Sequence, residues 1–199
     1  KKMSKSKGNV VNPLELVEQY GADAVRFALV YGTALGNDQV LSYPKLEAAR
    51  RFTNKLWNIA RFITMQQVSL PKQSERSQDS SITSQNDINK LKDFASNEND
   101  KEWVEKVSVL VSEVTKNIDN YQFNQVSEKL YEFVWHQFAD VYIEDVKQRM
   151  DENSFAVLNS LFLILNSMLH PMMPFVTDEI FRKLTNSQSS LMIENWPAV

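Results

Sequence analysis

Hydrophobic side chains recur every three or four residues over most of the chain, which is the spacing of amphipathic helices. The strongest patterns predict long helices over residues 43–67, 103–118, 126–146 and 155–169. Weaker patterns predict shorter helices over residues 13–20, 23–30, 87–94 and 177–184. One or two short extended pieces are expected near residues 39–41 and 191–193. We therefore predict a mainly α fold in which four or five helices form an antiparallel bundle.

Several helix ends carry residues that favour them. Asn12 can cap the first helix, and Pro13 suits the first helical position because its missing N–H would be unpaired there anyway. Asp23 is placed to cap the second helix in the same way. His170 precedes Pro171, which ends the long helix before it, and we expect His170 to hydrogen bond a free carbonyl at that end.

Residues 71–86 interrupt the helical patterns. This stretch has no aromatic side chain, and Ile82 is its one aliphatic residue. Such a segment buries too little apolar surface to offset the entropy lost on ordering. We predict that it is a mobile linker within the helical part of the chain.

The linker prediction is tested by limited digestion with trypsin. We expect the first cuts after Lys72 or Arg76, with the two large pieces remaining associated, because proteolysis concentrates in exposed segments with few contacts. Mass spectrometry of timed samples identifies the cuts. First cuts inside residues 103–120 or 126–149 would contradict the prediction.

Composition limits the classes to which the chain can belong. The sequence is 43% hydrophobic and 24% charged, as in globular proteins with a hydrophobic core. It has no cysteine, which excludes disulfides and cysteine-ligated zinc, and its two histidines are far apart, so we expect no metal site. No apolar run approaches the ~20 residues of a membrane span. These features favour a cytoplasmic protein without a membrane partner.

The net charge of −3 is unevenly distributed. Residues 1–72 contain 11 Lys and Arg against 5 Asp and Glu, whereas residues 73–199 contain 11 against 20. A basic third joined to an acidic remainder is typical of a surface that faces a polyanion, although ordinary surface variation can also produce it.

Four motifs point to one family. Residues 2–6 read Lys-Met-Ser-Lys-Ser, and residues 54–62 read Asn-Lys-Leu-Trp-Asn-Ile-Ala-Arg-Phe. Residues 135–144 contain Trp-x-x-Phe-x-Asp-x-Tyr-x-Glu, and residues 170–175 read His-Pro-Met-Met-Pro-Phe. Together they resemble class Ia aminoacyl-tRNA synthetases, in which the first motif is the KMSKS signature. Within that class the chain is most similar to the valine-specific members; the isoleucine and leucine relatives remain alternatives.

The resemblance implies a division of the chain. Residues 1–41 would be the KMSKS loop and a junction that contacts the tRNA stem. Residues 42–185 would be the helical anticodon-binding domain, and residues 186–199 a C-terminal tail. The family's second ATP motif, of the His-Ile-Gly-His type, is absent. We therefore expect a C-terminal part of a longer, monomeric enzyme, inactive as a ligase by itself.

The resemblance also implies the chemistry. The full enzyme would use ATP with Mg²⁺ to activate valine and transfer it to its tRNA, and Lys2 and Lys5 would be the catalytic residues. The residues expected to bind ATP are Lys2, Met3, Ser4, Lys5, Ser6 and Gly8. The residues expected to bind tRNA are Lys45, Lys55, Asn58, Arg61 and Phe62. In this scheme Phe62 stacks on an anticodon base, a common way to bind unpaired RNA.

Each of these assignments has a simpler alternative. Phe62 could be a core residue, and the arginines and lysines of the 43–67 helix could form a solvated face. For Trp57, Trp135, Phe138 and Tyr142 a core role is favoured, and for Asp140 and Glu144 ion pairing within the bundle. A helical RNA-binding module without catalysis is the alternative for the whole chain, and residues 2–9 argue against it because such a module has no use for an ATP-phosphate loop.

Overall fold

The computed structural model describes Met3 and residues 10–33, 36–38, 41–69, 88–149 and 151–198. Several predictions fall outside the described residues. These are the ATP-site candidates Lys2, Ser4, Lys5, Ser6 and Gly8, the linker 71–86 and most of the extended piece at 39–41.

The described residues are mainly helical, and no sheet forms among them, so the predicted mainly α fold is confirmed. The helices are α1 (Pro13–Tyr20), α2 (Ala22–Val30), α3 (Tyr43–Ser69), α4 (Ile88–Phe94), α5 (Glu98–Asp119), α6 (Phe123–Glu132), α7 (Ile143–Arg149), α8 (Glu152–Leu169) and α9 (Pro174–Thr185). The segment Phe133–Tyr142 joins α6 to α7 as a π-helix, so these three elements form one continuous rod.

One hydrophobic core runs through the bundle. Helix α3 packs against α2 and α9, α5 packs against α6 and α8, and α8 packs against α9. Phe52 and Leu56 of α3 are completely buried, as are Leu161 and Leu165 of α8. Leu16 and Phe27 bring α1 and α2 into the same core, so the first helices are fixed against the bundle.

Two side chains of α2 hydrogen bond the backbone at the two ends of the turn that joins α8 to α9. The Asp23 carboxylate accepts hydrogen bonds from the backbone N–H groups of Phe175 (3.2 Å) and Val176 (2.6 Å), at the start of α9. Arg26 donates to the carbonyl oxygens of Pro171 (3.0 Å) and Met172 (3.3 Å), just after α8. The prediction that Asp23 caps its own helix is therefore wrong. Helix α2 begins at Ala22, so Asp23 lies inside it, and the Asp23 carboxylate caps α9 instead.

The same turn corrects two further predictions. Helix α9 begins at Pro174, three residues before the predicted start, because Asp23 binds the N–H groups there. His170 hydrogen bonds through Nδ1 to the Thr177 hydroxyl (2.8 Å), not to a carbonyl. The same hydroxyl lies 2.7 Å from the Met173 carbonyl oxygen, to which it can donate. Burial lowers the pKa of His170, which keeps the ring neutral at pH 7.

The predicted extended piece at 191–193 is also wrong. Leu191–Ile193 forms a single 3-10 turn. Asp178 of α9 accepts hydrogen bonds from the Ser190 hydroxyl and the Leu191 N–H, both at 2.8 Å. These bonds fold the chain back onto α9 and prevent it from extending.

Candidate nucleic-acid interface

A polar stripe runs along the solvent side of α3. Successive residues of an α-helix are about 100° apart, so positions 50, 54, 58, 61 and 65 share one face. The residues at these positions, all exposed, are Arg50, Asn54, Asn58, Arg61 and Met65. No acidic residue occurs between positions 50 and 65. The stripe therefore offers positive charge and hydrogen-bond donors with no acid along its length.

Two of the predicted tRNA-binding residues lie on this stripe. Asn58 and Arg61 are adjacent on the exposed face, one turn apart. Within the described ranges, the Arg61 guanidinium has no ion pair or hydrogen bond with another side chain. Its five donors are thus available for a phosphate.

Lys55 and Lys45 are placed differently. The Lys55 ammonium is 2.9 Å from the Asp140 carboxylate and 5.5 Å from the centre of the Trp135 ring, so its charge is already paired. The Lys45 ammonium donates to the Thr33 hydroxyl (3.2 Å), and burial lowers its pKa. Lys45 lies on the opposite side of α3 from the stripe.

Phe62 and Trp57 border the stripe on its two sides. Both are half-buried and pack against the core, so each ring is fixed in place. The ammonium of Lys147, from α7, is 5.1 Å from the centre of the Phe62 ring. The ammonium of Lys183, from α9, is 5.5 Å from the centre of the Trp57 ring.

Trp57 also lines a groove between α3 and α9. The groove has a volume of about 530 Å³ and is bordered by Trp57, Ala60, Arg61, Thr64, Met65 and Lys183. Sequence reasoning assigned Trp57 to the core and did not select Lys183. The sequence signal that could have identified Trp57 is its spacing. Trp57 lies one turn before Arg61, so helical geometry places it at the border of the exposed face.

A buried polar cluster fixes α7, which carries Lys147. Asp100 of α5 is completely buried. Its carboxylate accepts hydrogen bonds from Tyr142 (2.9 Å), Arg149 (2.9 Å) and Ser154 (2.7 Å), which come from the π-helix, α7 and α8. Burial alone would raise the pKa of Asp100, but these bonds and one from Asn97 together hold it below its ordinary value.

The predicted ion pairing of Asp140 and Glu144 is confirmed, since Asp140 pairs with Lys55 and Glu144 with Lys147 at 2.6 Å. Phe138 and Tyr142 are fully buried, as predicted. Among the predicted ATP-site residues the structure describes only Met3, which is exposed. In the described part of the chain, no helix has both the length and the hydropathy needed to cross a membrane.

Comparison with protein families gives two matches. Residues 100–199 match the family described as "Anticodon-binding domain of tRNA ligase". Residues 1–42 match "tRNA synthetases class I (I, L, M and V)". The second match includes the Lys-Met-Ser-Lys-Ser run.

Among curated proteins, the chain is similar to valine–tRNA ligases. It is 38% identical to that of Clostridium perfringens, with 99% of this chain and 22% of the relative covered. It is 35% identical to that of Lactococcus lactis, with 100% of this chain and 22% of the relative covered. The chain thus spans about a fifth of the length of the curated relatives it matches.

Among solved structures, the chain matches the ternary complex of Agrobacterium radiobacter K84 agnB2 LeuRS, tRNA and LeuAMS. The TM-score is 0.75 at 22% identity, with all of this chain and 22% of that chain covered. At this level of identity the match supports the helical fold.

Proposed function

The chain belongs to the class I tRNA synthetases and carries their anticodon-binding domain, and from this premise we propose that it is part of a valine–tRNA ligase. The full enzyme would activate valine with ATP and Mg²⁺ and transfer it to tRNA. The similarity to valine–tRNA ligases over 99% of the chain supports valine over the isoleucine and leucine alternatives. Residues 1–41 would serve as loop and junction, residues 42–185 as the anticodon-binding domain and residues 186–199 as a tail.

The observation that carries the proposal is the exposed face of α3. Arg50, Asn54, Asn58 and Arg61 form a row with no acid between them. Phosphate contacts supply most of the affinity for RNA, and aromatic side chains stack on unpaired bases. We propose that the anticodon loop lies along this row with one base on Phe62.

Lys55 and Lys45 have reduced roles in this proposal. The Lys55 charge is compensated by Asp140, and Lys45 lies away from the row. Lys55 would act by holding Asp140 and Trp135 against α3. Lys45 would meet RNA only where the tRNA extends past the start of α3.

At the other end of the chain, Lys2 and Lys5 would bind the triphosphate of ATP. Met3, Ser4, Ser6 and Gly8 would shape the same loop. Activation would expel pyrophosphate, so negative charge would build up on the leaving group, and the two ammonium groups would bind it most tightly in the transition state. Asp23 and Arg26 of α2 hydrogen bond the chain between α8 and α9, which supports a junction that would hold this loop close to the bundle.

The α3 proposal predicts different effects for two neighbouring substitutions. Arg61→Ala should weaken binding of all tRNAs alike and lower the slope of log affinity against log salt by about one, because a phosphate contact carries no sequence information. Phe62→Ala should remove about 1–3 kcal/mol of stacking, and the loss should be largest for tRNA with a valine anticodon. Fluorescence anisotropy with labelled tRNAs measures both effects.

Two controls accompany these variants. Lys129→Ala removes one charge from the groove that also contains Glu102, Glu105 and Glu113, and it should leave tRNA binding unchanged. Thermal unfolding reports whether Phe62→Ala acts through stability, since a core Phe would cost stability in place of affinity. A sharp drop in melting temperature with an unchanged preference among anticodons would show that Phe62 is core and that the proposed role is wrong.

A further inference from the structure

Trp57 and Phe62 flank the exposed pair Asn58 and Arg61 on opposite sides. Measured around α3 from Trp57, Arg61 is about 40° away, Asn58 about 100° and Phe62 about 140°. The two exposed polar residues therefore lie between two half-buried rings. An RNA strand that contacts Arg61 has an aromatic side chain on each side of it.

A lysine from a different helix covers each ring. Lys147 lies over Phe62 at 5.1 Å and Lys183 over Trp57 at 5.5 Å, measured from ammonium to ring centre. Each lysine also pairs with an acid on its own helix, Glu144 at 2.6 Å and Glu179 at 3.2 Å. The lysine side chains are 41% and 47% exposed, so both ammonium groups remain partly hydrated.

The magnitudes favour a base over the lysine on these rings. An exposed cation–π contact and an exposed helical ion pair are each weak, because the charged groups remain hydrated. Stacking of an unpaired base on an aromatic side chain is stronger than either contact. A lysine that a base displaces from the ring can pair with an RNA phosphate. Its charge is therefore still compensated after the base has taken its place on the ring.

The groove beside Trp57 suits a nucleotide. Its volume of about 530 Å³ falls within the ~300–1,000 Å³ of small-ligand sites. Ala60 and Met65 supply apolar contact, and Arg61 and Lys183 supply two positive charges at its border. An aromatic ring between two cations complements an unpaired base with its phosphate.

We propose that Trp57 and Lys183 form a second base-binding subsite, which takes one unpaired base of the RNA loop bound along α3. Lys183 leaves the face of the Trp57 ring when the base stacks and then contacts the RNA phosphate. This subsite rests on the proposed function, because it requires that the loop lies on the exposed row of α3.

The test uses the 199-residue chain and an RNA stem-loop with the valine anticodon. Each loop nucleotide is replaced in turn by an abasic residue, and affinities are measured for the wild type and Trp57→Leu. In the wild type, one abasic position other than the one that responds to Phe62→Ala should weaken binding roughly tenfold. The Trp57→Leu variant should bind the intact stem-loop with this roughly tenfold lower affinity. Removing the base at the same position should not weaken its binding further.

Lysine variants separate Lys183 from nonspecific charge. Lys183→Met should lower the salt slope by about one. Lys106→Met is the matched control, since Lys106 lies 4.5 Å from the centre of the Trp103 ring and pairs with Glu102 at 2.7 Å, with its side chain 42% exposed. This control should leave the salt slope unchanged.

The outcomes distinguish the subsite from the function on which it rests. If every abasic substitution weakens binding equally in the wild type and in Trp57→Leu, the subsite is overturned. If Phe62→Ala still weakens binding in that case, the proposal for the anticodon loop stands. A wild-type chain that does not bind the stem-loop overturns both. Trp57→Phe keeps a ring at this position, and it should retain most of the abasic effect even if Trp57→Leu lowers the melting temperature.

Discussion

Replacing Asp100 by Asn is expected to lower the free energy of unfolding by about 3–5 kcal/mol, the typical cost of removing one partner from a buried ion pair. Asp100 is completely buried, and it binds the Arg149 guanidinium at 2.9 Å; the Arg149 side chain is 26% exposed. The substitution keeps the size of the side chain but removes its charge. It leaves Arg149 with Asp145 as its remaining anionic partner.

Urea unfolding at pH 7 measures this loss. Glu113→Gln is the matched control, because Glu113 forms an exposed pair with Lys129 at 2.7 Å. Exposed pairs contribute at most about 1 kcal/mol, so the control should differ little from the wild type. A loss in Asp100→Asn as small as that in Glu113→Gln would show that the cluster does not stabilise the junction of α5, α7 and α8.

The same carboxylate should also affect stability in acid. Its pKa in the folded chain lies below the ordinary value of 3.8. The unfolded chain therefore takes up the proton first as the pH falls, and the contribution of Asp100 is present above about pH 4 and lost below it. Asp100→Asn should thus show a shallower loss of stability than the wild type below pH 4.

Lys2→Ala and Lys5→Ala are expected to have the largest effects on activity. In the full enzyme, each should slow adenylate formation more than about a hundredfold, because one lost transition-state contact costs about 3 kcal/mol. The affinity for ATP in the ground state should change far less. Pre-steady-state kinetics with valine and ATP separates the two quantities.

Lys7→Ala serves as the control for this pair. Lys7 is the next lysine along the chain and lies outside the Lys-Met-Ser-Lys-Ser run. It should leave the rate of adenylate formation close to that of the wild type. An unchanged rate with weaker ATP binding in Lys2→Ala and Lys5→Ala would mean that these lysines bind the ground state only.

The sequence predicted the helices well where the determining signals are local. Asn12 accepts a hydrogen bond from the Leu14 N–H (3.1 Å), and α1 begins at Pro13 as expected. The start of α9 was missed because its cap, Asp23, lies about 150 residues away in the chain. The π-helix was missed because hydrophobic spacing does not distinguish ten residues of π-helix within a longer helical pattern.

The candidate site was predictable to a similar extent. Helical spacing placed Asn58 and Arg61 on one exposed face, which is a local property of α3. The partner of Lys55 is Asp140, which lies 85 positions away in the chain. Sequence spacing therefore could not show that the charge of Lys55 is paired. The contact of Lys183 with Trp57 depends in the same way on how α9 packs against α3.

The central claim is that RNA binds the α3 side of the bundle, and lysine footprinting tests it most directly. The chain is acetylated with and without tRNA, and the modified lysines are quantified by mass spectrometry. Lys147 and Lys183 border the proposed interface, while Lys101 and Lys106 lie on α5. All four pair with an acid on their own helix and have side chains 41–47% exposed. The claim predicts that tRNA protects Lys147 and Lys183 and leaves Lys101 and Lys106 reactive; equal protection of all four, or protection of the α5 pair alone, would contradict it.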